Sequence, residues 1–222
     1  TLAAGNLPGR ILAVNSVDAL LLERRLYDQG RKDWQLQRPF LSGNDRSRWV
    51  AARALVEDGT WAIDDFVVQR GWDTIDMVKH DGHLYSSKPP LLVLILAAQV
   101  WVVQQATGWT LADDTFEVVR TVVIVNSVLP LLLFWAALAW MVERLGTSDW
   151  GRLFAMSAAV GATFLPTFGI VINNHLPGTV SAGLALFAAV RIWFDGRREW
   201  YYFALAGAAA AFAAANELPA LS

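Results

Sequence analysis

The chain contains no cysteine. Disulfides and thiolate metal sites are therefore excluded, while the compartment is left open. Bulk charge is also scarce. The formal net charge is −2, which offers nothing to the phosphates of a nucleic acid. Charge is scarcest after Lys88, where most residues are apolar. No internal repeat is visible. The first residue is Thr1, and the chain reads as a fragment of a longer protein.

What is present is apolar surface. The sequence is 55% hydrophobic, with eleven Trp and a mean hydropathy of +0.36. A soluble domain of this length is rarely so apolar. The fold class expected is an all-α integral membrane protein. It is a multi-span helical bundle with a long extracytoplasmic first loop that carries two juxtamembrane helices.

Residues 1–17 read as the end of a truncated first transmembrane helix. They include Ile11-Leu12-Ala13-Val14 but are interrupted by Gly5, Pro8, Gly9 and Arg10. A span needs about 20 apolar residues. Residues 18–117 form the loop, with a helical stretch from Val17 to Tyr27. Its first juxtamembrane helix is expected near 44–57. Ser42 or Asn44 can cap it, Asp45 falls in its first turn, and Asp58-Gly59 ends it. Trp49, Ala52 and Val56 share a face, which suits a helix lying on a membrane or under a lid. Thr60 to Val68 reads as extended. Asp76 to Tyr85 reads as strand–turn–strand, turning at Asp81-Gly82.

Pro89 and Pro90 can open a helix, because proline's missing N–H is not needed in a first turn. The apolar run that follows covers 90–107. Transmembrane helices are then expected near 118–142, 152–172, 177–194 and 200–215. Arginines flank the short connections at 143–152 and 195–199, while Asn173-Asn174-His175 has neither Lys nor Arg. The positive-inside rule places the first two in the cytoplasm. It places 173–176 and the acidic 108–117 outside. With the long loop outside as well, 90–107 begins and ends on one side and is juxtamembrane or re-entrant. The alternative is that it spans.

Four places can carry chemistry. A carboxylate such as Asp45 at a helix start is usually a stabilising charge. Arg46 and Arg48 keep it ionised, and an ionised carboxylate can accept a proton from a hydroxyl. Lys88 is either a snorkelling lysine at a membrane boundary or a point charge for a lipid phosphate. Asn174 and His175 are either an ordinary turn or the lining of a site. Glu217 is either an exit from the membrane or an acidic group at membrane depth. His80, Asp81 and His83 are better explained by a hairpin turn than by a metal site, and no metal or other cofactor is expected.

With Asp45 and Lys88 in view, the pattern resembles the GT-C superfamily of membrane glycosyltransferases. It looks most like the protein O-mannosyltransferase and lipid A aminoarabinose transferase branch. The matching stretches are Asn44-Asp45-Arg46-Ser47-Arg48-Trp49, Ala51 to Leu55 and Gly59-Thr60-Trp61. Tyr85 and then Lys88-Pro89-Pro90-Leu91 follow, where the branch carries a Lys-Pro-Pro-Leu motif. Three positions depart from the pattern. Arg46 stands where the branch often has Glu, Ser87 where aminoarabinose transferases carry an acid, and Asn173-Asn174-His175 where an acidic motif is common.

The resemblance implies an enzyme of the bacterial inner membrane with its site facing the periplasm. Its donor would be a polyprenyl-phosphate-linked sugar and its acceptor an unidentified hydroxyl. Asp45 would activate the acceptor. Lys88, Arg46, Arg48, Tyr85, Asn174, His175 and Glu217 would bind substrate. The rival reading is a non-enzymatic multi-span protein, either a transporter or an assembly scaffold. Mid-membrane polar breaks and repeats would favour it.

Overall fold

The computed structural model describes residue 40 and residues 42–69 and 71–217. The expected first helix at 1–17 and the helical stretch from Val17 to Tyr27 lie outside the described residues. The chain divides into two compact units that meet in sequence at Val122 and Val123.

In the first unit, α1 spans Gly43–Glu57. Ser42 caps it, its Oγ accepting from the Asp45 N–H at 3.0 Å. Asp58 closes it, its N–H donating to the Ala54 carbonyl. The single apolar face expected for this helix is corrected by its burial. Every residue from Asp45 to Ala54 is buried, polar ones included. A helix enclosed on all sides must find a partner for each buried polar group. Arg53 shows how. Its Nε reaches Glu57 Oε1 at 2.8 Å and its Nη1 reaches Gln69 Oε1 at 2.9 Å. Its guanidinium also lies over the rings of Phe66 and Trp72, 5.0 and 4.6 Å from their centroids. Phe40 completes this aromatic cluster, stacked on Trp49 and edge-on to Trp72.

The extended reading of Thr60 to Val68 is also corrected. Only Ala62 pairs in a strand-like way, with Tyr85, and a single helical turn α2 follows at Asp64–Val67. Two acids open that turn, as suits the positive end of a helix. Asp64 is further held by the Leu84 N–H at 3.0 Å and by His83 Nδ1 at 3.2 Å. Burial works against its ionisation, but these two contacts outweigh it and keep the carboxyl below its usual range.

The strands β1 (Met77–His80) and β2 (His83–Ser86) form an antiparallel hairpin. Asp81 and Gly82 both have positive φ, 48° and 87°, as a tight two-residue turn between twisted strands requires. Then α3 runs Pro90–Thr107 and stops at Gly108 in the left-handed conformation. Helix α1 packs along α3 and against β2.

The helix α4 begins at Thr115–Val123 and passes through a π-helical stretch, Ile124–Val128, into α5, Leu129–Leu145. Pro130 explains the π-stretch. It has no N–H to donate to Asn126, and its ring crowds that carbonyl, so the preceding turn widens.

In the second unit the expected helix at 152–172 is overturned. Helix α6 ends at Gly161, and a separate turn α7 covers Leu165–Phe168. Thirteen residues rise only about 20 Å, too little for a hydrocarbon core of about 30 Å. Gly161 and Pro166 bracket the break. Helices α8 (His175–Trp193) and α9 (Trp200–Asn216) form an antiparallel pair, and α5 packs on α8. The core there is Leu131, Phe134, Leu176 and Val180, with Trp135, Leu138 and Leu184 against it.

At the 190s end of this pair, Asp195 accepts from Arg144 Nε at 3.0 Å and Arg191 Nη1 at 2.7 Å. Arg191 also donates to the Tyr202 hydroxyl and lies over Trp140. Burial again opposes ionisation of Asp195. The two guanidiniums outweigh it and hold the carboxyl below its usual range. Acid would therefore weaken this link only as pH falls through that lowered value, and the link is complete above the ordinary carboxylate range.

Among the described residues, three helical segments are long and apolar enough to cross a membrane: Pro90–Thr107, Thr115–Leu145 and His175–Trp193. The protein is thus mainly helical, with membrane-length segments.

Close approach of α5 and α8 depends on Gly183. A Cβ there would stand 2.2 Å from Phe134 Cε2. Gly183→Ala is expected to destabilise the protein by about 1–3 kcal/mol through overpacking. Phe134→Leu should recover part of that loss in the double variant. Thermal unfolding in detergent checks both, and an unchanged melting temperature for Gly183→Ala would refute the packing account.

Candidate functional site

The candidate residues fall into two groups, one in each unit. In the first unit the structure joins the start of α1 to the turn that carries Lys88. The joint is Ser47, which is fully buried. Its Oγ lies 2.5 Å from the Asp76 carbonyl and 2.7 Å from Ser86 Oγ. A hydroxyl has one proton to give. Only a donor satisfies the Asp76 carbonyl, so Ser47 donates there. Ser86 must then donate to Ser47. Ser86 Oγ in turn accepts the Lys88 N–H at 3.2 Å. The result is a directed chain: Lys88 N–H to Ser86, Ser86 to Ser47, Ser47 to Asp76. Bonds aligned in this way polarise one another.

Asp76 is the residue that sequence reasoning missed. Its carbonyl also accepts from the Ser87 N–H at 3.2 Å. Its own N–H donates to Thr74 Oγ1 at 3.1 Å, and Thr74 Oγ1 donates to the Gly43 carbonyl at 2.7 Å. The Asp76 carboxylate lies 3.3 Å from Lys88 Nζ. Lys88 is therefore an ion-paired cation with a side chain 16% exposed, not a lysine snorkelling alone. A signal for this existed. The Asp81-Gly82 turn fixes a register in which Met77 faces Ser86. The next pair outward is Asp76 and Ser87, beside Lys88.

Asp45, Arg46 and Arg48 are all buried in the first turns of α1. Arg48 Nη1 bends back to Asn44, 3.0 Å from its carbonyl and 2.7 Å from its Oδ1. Tyr85 is half-buried in β2 and pairs with Val78. Asp45 is thus two residues from Ser47, and Tyr85 is one from Ser86. A carboxylate at a helix start and a lysine after a hairpin are held by one hydrogen-bonded junction.

The second group gathers at the far end of the α8–α9 pair. His175 Nδ1 lies 2.7 Å from Glu217 Oε1, although the two are far apart in sequence. The Asn174 amide donates to the Asn216 carbonyl at 3.0 Å. Asn216 Nδ2 donates to the Phe212 carbonyl at 2.9 Å. The His175 ring also lies 5.2 Å from that of Phe168. Asn174, His175 and Glu217 therefore form one polar cap on two apolar helices. Asn173 serves the backbone instead, its amide donating to the Phe168 and Val171 carbonyls. Among the described residues no three His, Asp or Glu side chains cluster in a way that could hold a metal ion.

The junction predicts its own fragility. Ser47→Ala removes a buried donor and leaves the Asp76 carbonyl one bond short, at a cost of about 1–3 kcal/mol. Ser47→Thr keeps the hydroxyl and should lose less. Hydrogen exchange should report faster exchange at the Lys88 amide in Ser47→Ala. Unaltered protection there would mean that the chain of bonds is not what holds the turn.

No protein-family model, no curated protein and no solved structure matches this chain.

Proposed function

We propose that the protein is a membrane glycosyltransferase that moves a sugar from a polyprenyl-phosphate donor to an acceptor hydroxyl. The observation that carries the reading is the junction at Ser47. It links the helix start that carries an acid to the turn that carries a lysine at the head of a membrane-length helix. Such a pair suits a donor whose lipid lies in the membrane and whose phosphate lies at its surface.

In this reading the acceptor hydroxyl attacks the sugar carbon. A new carbon–oxygen bond forms as the bond from sugar to phosphate oxygen breaks. The electron pair of the broken bond stays on the lipid phosphate, and the hydroxyl proton goes to Asp45. Lys88 offsets the charge that grows on the leaving phosphate. Arg46, Arg48 and Tyr85 border this region from α1 and β2. The site faces the extracytoplasmic side, which in a bacterium is the periplasm.

One feature favours the second reading, a transporter or scaffold. The helix expected at 152–172 is broken at Gly161, and irregular backbone at membrane depth often serves transport. Variants separate the two. Asp45→Asn keeps the size of the side chain and can be tolerated in the first turn. Transfer should fall roughly a hundred- to ten-thousandfold, the usual worth of a general base, while donor binding persists. Lys88→Ala should weaken donor binding by the loss of a charge-assisted bond, worth about 1.5–3 kcal/mol. Measured with radiolabelled donor lipid, absence of transfer by the wild type would defeat the enzymatic assignment, and full transfer by Asp45→Asn would defeat the role given to Asp45.

Orientation has its own test, made simple by a chain without cysteine. Single cysteines at the exposed positions Lys79, Thr147 and Ile170 can be probed in intact cells with an impermeant thiol reagent. Positions 79 and 170 should label and position 147 should not. The opposite pattern would reverse the proposed topology.

A further inference from the structure

The Asp76–Lys88 pair poses a problem for a lysine that must bind phosphate. Its Nζ is already 3.3 Å from a carboxylate, and that carboxylate is 31% exposed. The pair is not incidental. Asp76 is anchored by three bonds, through its N–H to Thr74 and through its carbonyl to Ser47 and Ser87, and Thr74 is in turn tied to Gly43. Lys88 is fixed on its side by its own N–H to Ser86 and by the prolines that follow. Both backbones are therefore held in place, which keeps the two side chains within reach of each other.

We propose that Asp76 is a resident counter-ion that competes with lipid phosphate for Lys88, so that the site discriminates by phosphate charge. The proposal rests on the phosphate reading of Lys88 given above.

The chemistry of the two phosphates makes the competition useful. A sugar-linked lipid phosphate is a diester with a single negative charge. The lipid phosphate left after transfer is a monoester. Its second ionisation has a pKa of about 6, so near neutral pH it carries close to two charges. A carboxylate already paired with the lysine offers a singly charged diester little gain. A doubly charged oxygen cluster competes better. Lys88 would then engage fully only as the bond to the sugar breaks and charge builds on the phosphate. Interactions that strengthen between ground state and transition state raise the rate of the chemical step. Asp76 would keep Lys88 from being spent on the bound donor. It would also hold the lysine in position when the site is empty.

The test compares two small probes in phosphatidylcholine nanodiscs at pH 7.5: farnesyl phosphate, a monoester, and its methyl ester, a diester. Binding to the full chain is followed by calorimetry. The wild type should bind the monoester more tightly than the diester. Asp76→Asn keeps the side-chain size and leaves the backbone bonds intact. It should tighten diester binding by up to about fivefold, the scale of a partly exposed ion pair, and so narrow the ratio between probes. Asp76→Ser provides a second neutral variant, and matched melting temperatures establish that both are folded. In a Lys88→Ala background, Asp76→Asn should change nothing.

The outcomes separate. If Lys88→Ala weakens binding but Asp76→Asn leaves the ratio unchanged, the counter-ion proposal fails and the phosphate reading stands. A gain from Asp76→Asn that persists without Lys88 also overturns the proposal, since it would be bulk electrostatics. Lys88→Ala binding both probes as the wild type does would remove the phosphate reading and the proposal together.

Discussion

A single buried hydroxyl organises the first unit. Ser47 has no contact with solvent, and both of its bonds cross between elements distant in sequence. Without it, α1 would keep the Thr74 bond to Gly43 and rely more on apolar contacts with the hairpin. Those contacts are strong but non-directional. They would hold α1 against α3 without specifying where Asp45 stands relative to Lys88. The directed chain from the Lys88 N–H to the Asp76 carbonyl supplies that specification. Buried polar networks that are fully satisfied rigidify what they join.

The same logic explains why α1 is unusual. Its buried stretch contains an acid, three arginines and a serine. In an ordinary amphipathic helix such residues would face water. Here the surroundings are built to receive them. Arg53 finds Glu57, Gln69 and two aromatic faces, and Arg48 finds Asn44. A guanidinium suits this role because it is planar, weakly hydrated and stays charged. A lysine at position 53 could not stack on Phe66 and Trp72 while also reaching both polar partners.

How much of this could be read from the sequence depended on range. The start of α1 was legible because Ser42 and Asp45 act within one turn. The hairpin was legible because only a residue pair like Asp81-Gly82 accepts positive φ twice. The start of α3 was legible from Pro89-Pro90. The break after Gly161 was not, because hydropathy does not distinguish a straight apolar helix from an interrupted one. Burial around α1 was hidden as well, since it is made by partners far along the chain. The Asp76–Lys88 pair and the meeting of His175 with Glu217 lie between these extremes. Each follows from an element that was recognised, a hairpin register in one case and a helical pair with a short connection in the other. That geometry, carried outward to the ends of each element, brings the paired residues together.

The second unit solves a different problem with similar means. Its helices are apolar on most sides, and if they lie in lipid, burial of apolar surface no longer drives them together. Association then falls to close packing and to polar links at the ends. Gly183 lets the Phe134 ring approach the backbone of α8, which gains dispersion contacts a larger residue would forbid. Asp195 gathers Arg144 and Arg191 at one end, while Asn174 and Asn216 bond across the other. A bundle pinned at its ends and packed through a glycine leaves the polar cap of Asn174, His175 and Glu217 on a fixed base. Such a base lets a few hydrogen-bonding groups be held in place.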